Sequence, residues 1–444
     1  VDRPLGTLGT SAVVAVLLLG GPPATAAPDD DPGPALAGTP VAGASGSATP
    51  PALTVGRYLD HLPARGSLGY RLPRTAAGST FHVAALFVGA GDSVGEGVRI
   101  EVGTTPGDEG CGSGGVFRPT LGEQAPVLFT TVTTWTDVDD HECAVADDLF
   151  LTLHAPDDPA DAGREVELLV FEEPPLSDYG MGLLPDPAPP AWTPLAPAAS
   201  PREVPPGTTP TSAPVVRDGS YRLTLRPGRT QVLAVPLDWD QTVQAQLDAR
   251  LPVGAPGPGE IAIDVVGPML GTSEVSFTMT RPDDWTVPTT APGRLRIGAQ
   301  SQVVSYAHRD SYDAAVSTEA LAGIHYVVVR WPGTDQAGPA AAALEVPATV
   351  TLRTTGEATD GVPSYTPVEG LLGPQAGSRL VDGTLQAPPV DAPAAAPVDE
   401  PEDGPQPWLV AVAGLAGIGV VGGLVRARRR AVVSREGTYP RHRD

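Results

Sequence analysis

Residues 80–102 read TFHVAALFVGAGDSVGEGVRIEV. Phe81, Val83, Ala85 and Phe87 alternate along the first run, and Val98, Ile100 and Val102 along the second. Period-two spacing places such side chains on one face of a strand, and the glycines between the runs mark a hairpin loop. The alternation returns at Leu149, Leu151 and Leu153, and at Val166, Leu168 and Val170. After a Pro-rich interval it recurs at Leu233, Val235 and Leu237, at Val243, Ala245, Leu247 and Ala249, and at Ile261, Ile263 and Val265. No helical period competes. These runs predict an all-β chain of two tandem antiparallel β-sandwich modules, jelly-roll-like, over 53–173 and 215–355.

The modules share landmarks. Gly56-Arg57-Tyr58 corresponds to Gly219-Ser220-Tyr221, Gly66 to Gly228, and the run from Thr80 to the run from Thr242. Matching offsets point to a duplication. The chain has 444 residues, 52 of them Gly and 52 Pro, a share that calls for long linkers. Linkers are expected at 27–52 (disordered), at 174–214 (Pro-rich) and at 356–407 (Pro-, Ala- and acid-rich).

Both ends carry targeting signals. Arg3, the apolar run Ser11 to Leu19 and Ala24-Thr25-Ala26 read as a signal peptide over 1–26, cleaved after Ala26 or Ala27. Trp408 to Val425 is uncharged and long enough, at roughly 27 Å as a helix, to cross a bilayer. Arg426, Arg428, Arg429 and Arg430 follow at once, which orients the modules outside and a basic tail, 426–444, inside. Gly419 and Gly423 make a small-xxx-small face on which two such helices could pair as a homodimer.

The formal net charge is −24, and setting aside the basic tail leaves about −29 on residues 27–425. Such a balance argues against a nucleic-acid partner. Lys and Asn are absent, so all 28 basic residues are Arg and no N-glycosylation sequon exists.

Cys111 and Cys143 are the chain's two cysteines and lie on the expected outer side, where they are expected to pair. Gly91-Asp92-Ser93-Val94-Gly95 matches the nucleophile-elbow consensus, which makes Ser93 the one candidate for a hydrolase. An elbow needs a helix after it, and GVRIEV is a strand pattern, so the loop reading prevails. Asp137, Asp139, Asp140 and Glu142 form an acidic cluster that could take Ca²⁺ but lacks the glycine and distal glutamate of an EF-hand. The solvated acidic loop is the stronger reading, and no metal or cofactor is expected. His61, His82, His154, His308 and His325 show no metal-binding spacing. Trp135, Trp239, Trp285 and Trp331 are weak candidates for a glycan groove.

The stretch DGSYRLTLRPGRTQVLAVPLDWDQTVQAQL, Asp218 to Leu247, resembles the extracellular region that follows the von Willebrand A domain in actinobacterial single-pass membrane proteins. The first module is similar to the β-rich segment before that domain, including its two cysteines, here Cys111 and Cys143. Both modules resemble, more distantly, bacterial pre-peptidase C-terminal domains. A D-x-S-x-S metal motif is missing, so metal-dependent adhesion does not carry over. The resemblance implies an envelope protein. Taken together, the expected function is a non-enzymatic, membrane-anchored extracellular binding or scaffolding protein that meets an envelope protein or cell-wall component. The alternatives are an accessory subunit of a membrane or secretion complex and, behind it, a serine hydrolase.

Overall fold

The computed structural model describes most of residues 35–386. Residues 1–34 and 387–444 lie outside it, as do 91–94, 118–125, 135–141, 178–190, 256–260, 281–292, 332–342, 358–362, 374–378 and positions 47, 254, 274, 312, 372 and 382–383. The expected signal peptide, the span Trp408 to Val425, its Gly419/Gly423 face and the arginine run therefore lie outside the described residues. Among the described residues no helix is long and apolar enough to cross a membrane.

The described chain is mostly β. Module 1 contains β1 (Thr39–Pro40), β2 (Gly56–His61), β3 (Ser67–Pro73), β4 (Thr80–Val88), β5 (Glu96–Gly103), β6 (Gly112–Phe117), β7 (Val127–Thr133), the short helix α1 (Glu142–Val145), β8 (Asp148–His154) and β9 (Glu165–Glu173). Its sheet I runs β1-β2-β9-β4-β7 and its sheet II β3-β8-β5-β6. The inward alternating residues of both sheets, Phe81, Val83, Val98, Ile100, Leu151 and Val170 among them, share one core.

Module 2 contains β10 (Arg202–Glu203), β11 (Gly219–Leu225), β12 (Arg229–Leu237), β13 (Thr242–Leu251), β14 (Ala262–Val266), β15 (Thr272–Ser273), β16 (Val275–Thr280), β17 (Gly293–Gln300), α2 (Ala314–Ser317), β18 (Gly323–Trp331) and β19 (Val346–Thr355). Sheet III joins β12, β18, β14 and β15, extended by the hairpin β20 (Arg379–Val381) and β21 (Thr384–Gln386). Sheet IV runs β10-β11-β19-β13-β17-β16.

The two modules follow one path. β2-β9-β4-β7 and β3-β8-β5-β6 in the first become β11-β19-β13-β17 and β12-β18-β14-β15 in the second, the strand order of an eight-stranded jelly roll. Local chemistry repeats with it. Tyr58 donates its hydroxyl to the Thr54 carbonyl at 3.0 Å, and Tyr221 does the same to Arg217 at 2.6 Å. Gly66 and Gly228 both turn with positive φ, 67° and 74°, where a side chain would be strained.

The repeat also reaches into the segments read from composition as linker. Strand β1 lies parallel to β2 as β10 does to β11, and the bridges Ala44 to Gly69 and Ala52 to Arg71 match Gly207 to Val232 and Val215 to Ala234. Each module thus opens with an arm along its own sheet edges, and the stretches 35–46, 48–52 and 202–214 are built into the fold. Proline suits such arms: the Pro51 and Pro214 carbonyls accept from Arg71 and Ala234, while the missing proline N–H costs nothing at an edge.

The modules do not stand apart on linkers. A third core joins the outer face of sheet I (Ala84, Leu86, Val88, Leu169, Phe171) to the outer face of sheet III (Val232, Ala234, Ile324, Tyr326, Val328). Consequently every residue of β4 is buried, on both faces. The sheets stack in the order II, I, III, IV within one compact unit. Both ends of the stack are polar. Where sheet I presents Ala84, Leu86 and Phe171 outward, the repeat equivalents on sheet IV are Gln246, Asp248 and Arg353. Where sheet III presents Ile324 and Val328, sheet II has Asp148 and Thr152. Polar residues on these outer faces stop the stacking at two, and on sheet IV residues 191–198 lie over part of them, Leu195 N–H and carbonyl bonding buried Gln246 at 2.8 Å.

Candidate functional site

Sheet I's outer face changes character along its strands. At one end β4, β7 and β9 present Leu86, Val88, Val127 and Leu169, which sheet III covers. At the other end they present Thr80, His82, Thr133 and Glu173. There a cleft of about 1080 Å³ opens between the modules. Its walls include Thr131 and Thr133 of β7, Ser113 of β6, Tyr306, Arg309 and Thr318 of the β17–β18 connection, and Thr366.

Glu173 is the node of this end. It is fully buried, and three elements hold it: His82 of β4 at 2.8 Å, the Tyr365 hydroxyl at 2.7 Å and the Arg309 guanidinium. Burial alone would raise its pKa, but Arg309, His82 and Tyr365 together hold the carboxyl down to about 2. Arg309 in turn lies over the Tyr306 ring, 4.1 Å from its centroid, and bonds the Tyr306 hydroxyl at 2.6 Å. Its own pKa goes up: burial works against the charge, and the nearby Glu173 outweighs it. Burial first, and Glu173 second, push the Tyr365 hydroxyl well above its ordinary value.

His82 is kept neutral by burial, with Arg309 adding to that against Glu173's opposing pull. Because the Glu173 carboxylate accepts at Nε2, the ring nitrogen Nδ1 is left to accept from the Thr133 hydroxyl at 3.1 Å. Thr133, His82 and Glu173 therefore line up as a hydroxyl, an imidazole and a carboxylate across three adjacent strands. Such an order is the form of a nucleophilic triad. The electrostatics oppose that use, since an imidazolium formed here would be buried beside Arg309 and would face a carboxylate already neutralised by it. The cluster acts as a pin between modules.

A strap completes it. Thr366 N–H donates to the Pro175 carbonyl and Ser177 N–H to the Ser364 carbonyl, both at 2.8 Å, which ties residues 363–366 to the end of module 1. Further on, Leu380 of β20 joins the edge of β18 at Gly323 and is buried in the third core. The opposite margin of the interface carries a second buried acid, Glu167, bonded by the Thr211 hydroxyl at 2.8 Å and the Ala37 N–H at 3.0 Å.

Of the residues singled out from the sequence, Cys111 and Cys143 form a disulfide with Cα atoms 5.5 Å apart. Both are fully buried in module 1's core, and their neighbours Gly112 and Ala144 line the cleft. Replacing both by serine should lower stability by roughly 3 to 4 kcal/mol on the loop-entropy scale, read by urea unfolding. Thiol labelling of the unfolded, unreduced chain should find no free cysteine. Ser93 and Asp137, Asp139 and Asp140 lie outside the described residues. Glu142 starts α1 and is exposed, and no metal-holding cluster occurs among the described residues. The described elements before and after Ser93 are the strands β4, ending at Val88, and β5, starting at Glu96. Trp239 and Trp331 are core residues at 1% exposure, which removes them from any glycan groove. Trp135 and Trp285 lie outside the described residues.

Sequence reasoning missed Glu173, Arg309 and Tyr365, and grouped His82 with scattered histidines. A signal existed in β4, where His82 interrupts the apolar run of TFHVAALFV, whereas Glu173 ends a strand, EVELLVFEE, that carries three other glutamates and gave no such signal.

No family model matches this chain, and no curated protein matches it. Among solved structures, a crystal structure of a "putative secreted protein" from Parabacteroides distasonis matches at 10% identity, covering 68% of this chain and 89% of the other, with a TM-score of 0.17. A superposition that weak carries no argument about fold or role.

Proposed function

We propose that this chain is a membrane-anchored, extracytoplasmic binding or scaffolding protein of the cell envelope, without enzymatic activity, in which two sandwiches act as one body. The observation that carries it is the third core, which fuses the modules and leaves a cleft of mixed polar and apolar lining at one margin. A buried disulfide fits an oxidising compartment outside the cytoplasm. The anchor itself rests on the sequence of 408–430.

The test is photocrosslinking in intact cells from probes at Ser113 and Thr366, on the cleft, against a probe at Ala64 in the exposed β2–β3 turn. A partner captured from the cleft positions and not from Ala64 supports the reading. Equal capture, or none, contradicts it. A serine-reactive probe should leave the full chain unlabelled; labelling that disappears in Ser93→Ala would replace the binding reading with the hydrolase.

A further inference from the structure

Residues 191–198, AWTPLAPA, cross the outer face of sheet IV from β17 and β13 to β11, and their main contacts recur at every third residue. Trp192 lies over Gly298 of β17, where any side chain would collide with its ring. Leu195 is bonded through both its N–H and its carbonyl to the Gln246 amide of β13, at 2.8 Å each. Ala198 N–H donates to the Ser220 hydroxyl of β11, also at 2.8 Å. Between these points Thr193, Pro194, Ala196 and Pro197 are exposed. A three-residue period is that of a polyproline II helix, and the lengths agree. From Leu195 to Ala198 such a helix covers roughly 9 Å, while β11 lies two strands from β13, roughly 10 Å.

The receiving face is prepared for a peptide backbone. Gln246 is fully buried, and its Nε2 also donates to Asp248, which the Arg296 guanidinium holds at 2.7 Å. Because a carboxylate only accepts, Asp248 fixes the amide with Oε1 toward the Leu195 N–H. An amide that meets the N–H and the carbonyl of one residue together reads main chain, and the open space over Gly298 and the seat of Leu195 select side chains. Extended peptides are recognised by that division of labour. The segment itself is held lightly, for of residues 191–200 only Leu195 is buried. Moreover, the equivalent face of module 1, with Ala84 where module 2 has Gln246, is the one on which module 2 docks.

We propose that the outer face of sheet IV is a recognition surface for an extended, proline-rich segment of a partner protein, with an aromatic residue and a leucine three positions apart, and that residues 191–198 occupy it in cis as a built-in competitor. This site is separate from the cleft and stands whether or not the cleft takes a partner. A second copy of the chain is a poor donor of the segment. Close behind Ala198, Arg202 pairs with Tyr221 of the chain's own β11, so the segment reaches another copy only by pulling β10 from its sheet. The same tether holds the segment at high local concentration, which closes the face to weak ligands.

The probe is a fluorescein-labelled peptide of residues 191–199, AWTPLAPAA, added to the full detergent-solubilised chain and read by anisotropy. Trp192→Ala with Leu195→Ser silences the built-in segment, and the peptide should bind this chain at least about tenfold more tightly than the parent. Gly298→Val or Gln246→Ala, added to the silenced chain, should abolish binding, as should the same two substitutions made in the peptide. No binding to a silenced chain with parental circular dichroism, or equal binding to parent and silenced chains, overturns the proposal, as does binding that survives both Gly298→Val and Gln246→Ala. Hydrogen exchange on the parent decides the matter should the silenced chain fail to fold. The Leu195 N–H should then exchange at least about tenfold faster than the Leu247 N–H of β13, because the segment opens without the sheet. Equal protection of the two would make residues 191–198 a fixed part of the sandwich and overturn the proposal.

Discussion

Replacing Glu173 with alanine should cost the fold about 3 to 5 kcal/mol, because it leaves the Arg309 guanidinium uncompensated between the modules. Glu173→Gln, which keeps an acceptor for Tyr365, should cost less. The pH dependence follows from the same group. Its folded pKa of about 2 lies below the ordinary 4.5, so its contribution is complete above 4.5 and is lost as pH falls toward 2. His82, depressed below 6.5, acts in the same direction at higher pH, since acid favours the unfolded chain in which it can take a proton. Glu167 opposes them: burial raises its pKa, so its own term declines as pH rises past 4.5. Urea unfolding of the full chain from pH 7 down to pH 3 should show a steady loss of stability that is smaller in Glu173→Ala. An unchanged slope in the variant would remove Glu173 as its source.

Phe171→Ala should cost a similar amount, about 3 to 5 kcal/mol, for a different reason. Phe171 is 1% exposed, stacks on His82 with centroids 5.9 Å apart, and belongs to the core between sheets I and III, not to module 1's own core. Truncation leaves a cavity that two packed sheets fill only partly. Because the cavity lies between modules, strands of module 2 should lose protection although the altered residue is in module 1. Hydrogen exchange at β12 and β18 reads this directly, and unaltered exchange there would mean that the modules are energetically separate.

Much of the strand framework was legible because inward alternation is strong in residues such as Phe81, Val83, Leu151 and Val243. The duplication was legible at Tyr58 and Tyr221 for the same reason, since each fixes a tight local contact soon after its glycine. The packing of module on module was not read, although β4 carried it. Ala84, Leu86 and Val88 make the second face of TFHVAALFV apolar too, and a strand apolar on both faces is covered on both. Ile324, Tyr326 and Val328 say the same of β18. The arms were misread from composition. Proline-rich segments look like free linkers, yet at sheet edges they need few hydrogen bonds, and these make the few they need. The buried node could not be read at all beyond single odd residues, since Glu173, Arg309 and Tyr365 are far apart in sequence and meet only through the stack.

The central claim is that two sandwiches form one cooperative body. Native-state hydrogen exchange on the full chain tests it most directly, comparing β4 and β9 with β12 and β18 in the parent and in Phe171→Ala. The stack predicts one shared ceiling of protection in both modules and an equal drop in both on substitution. A drop confined to β4 and β9, with β12 and β18 exchanging as before, would contradict it.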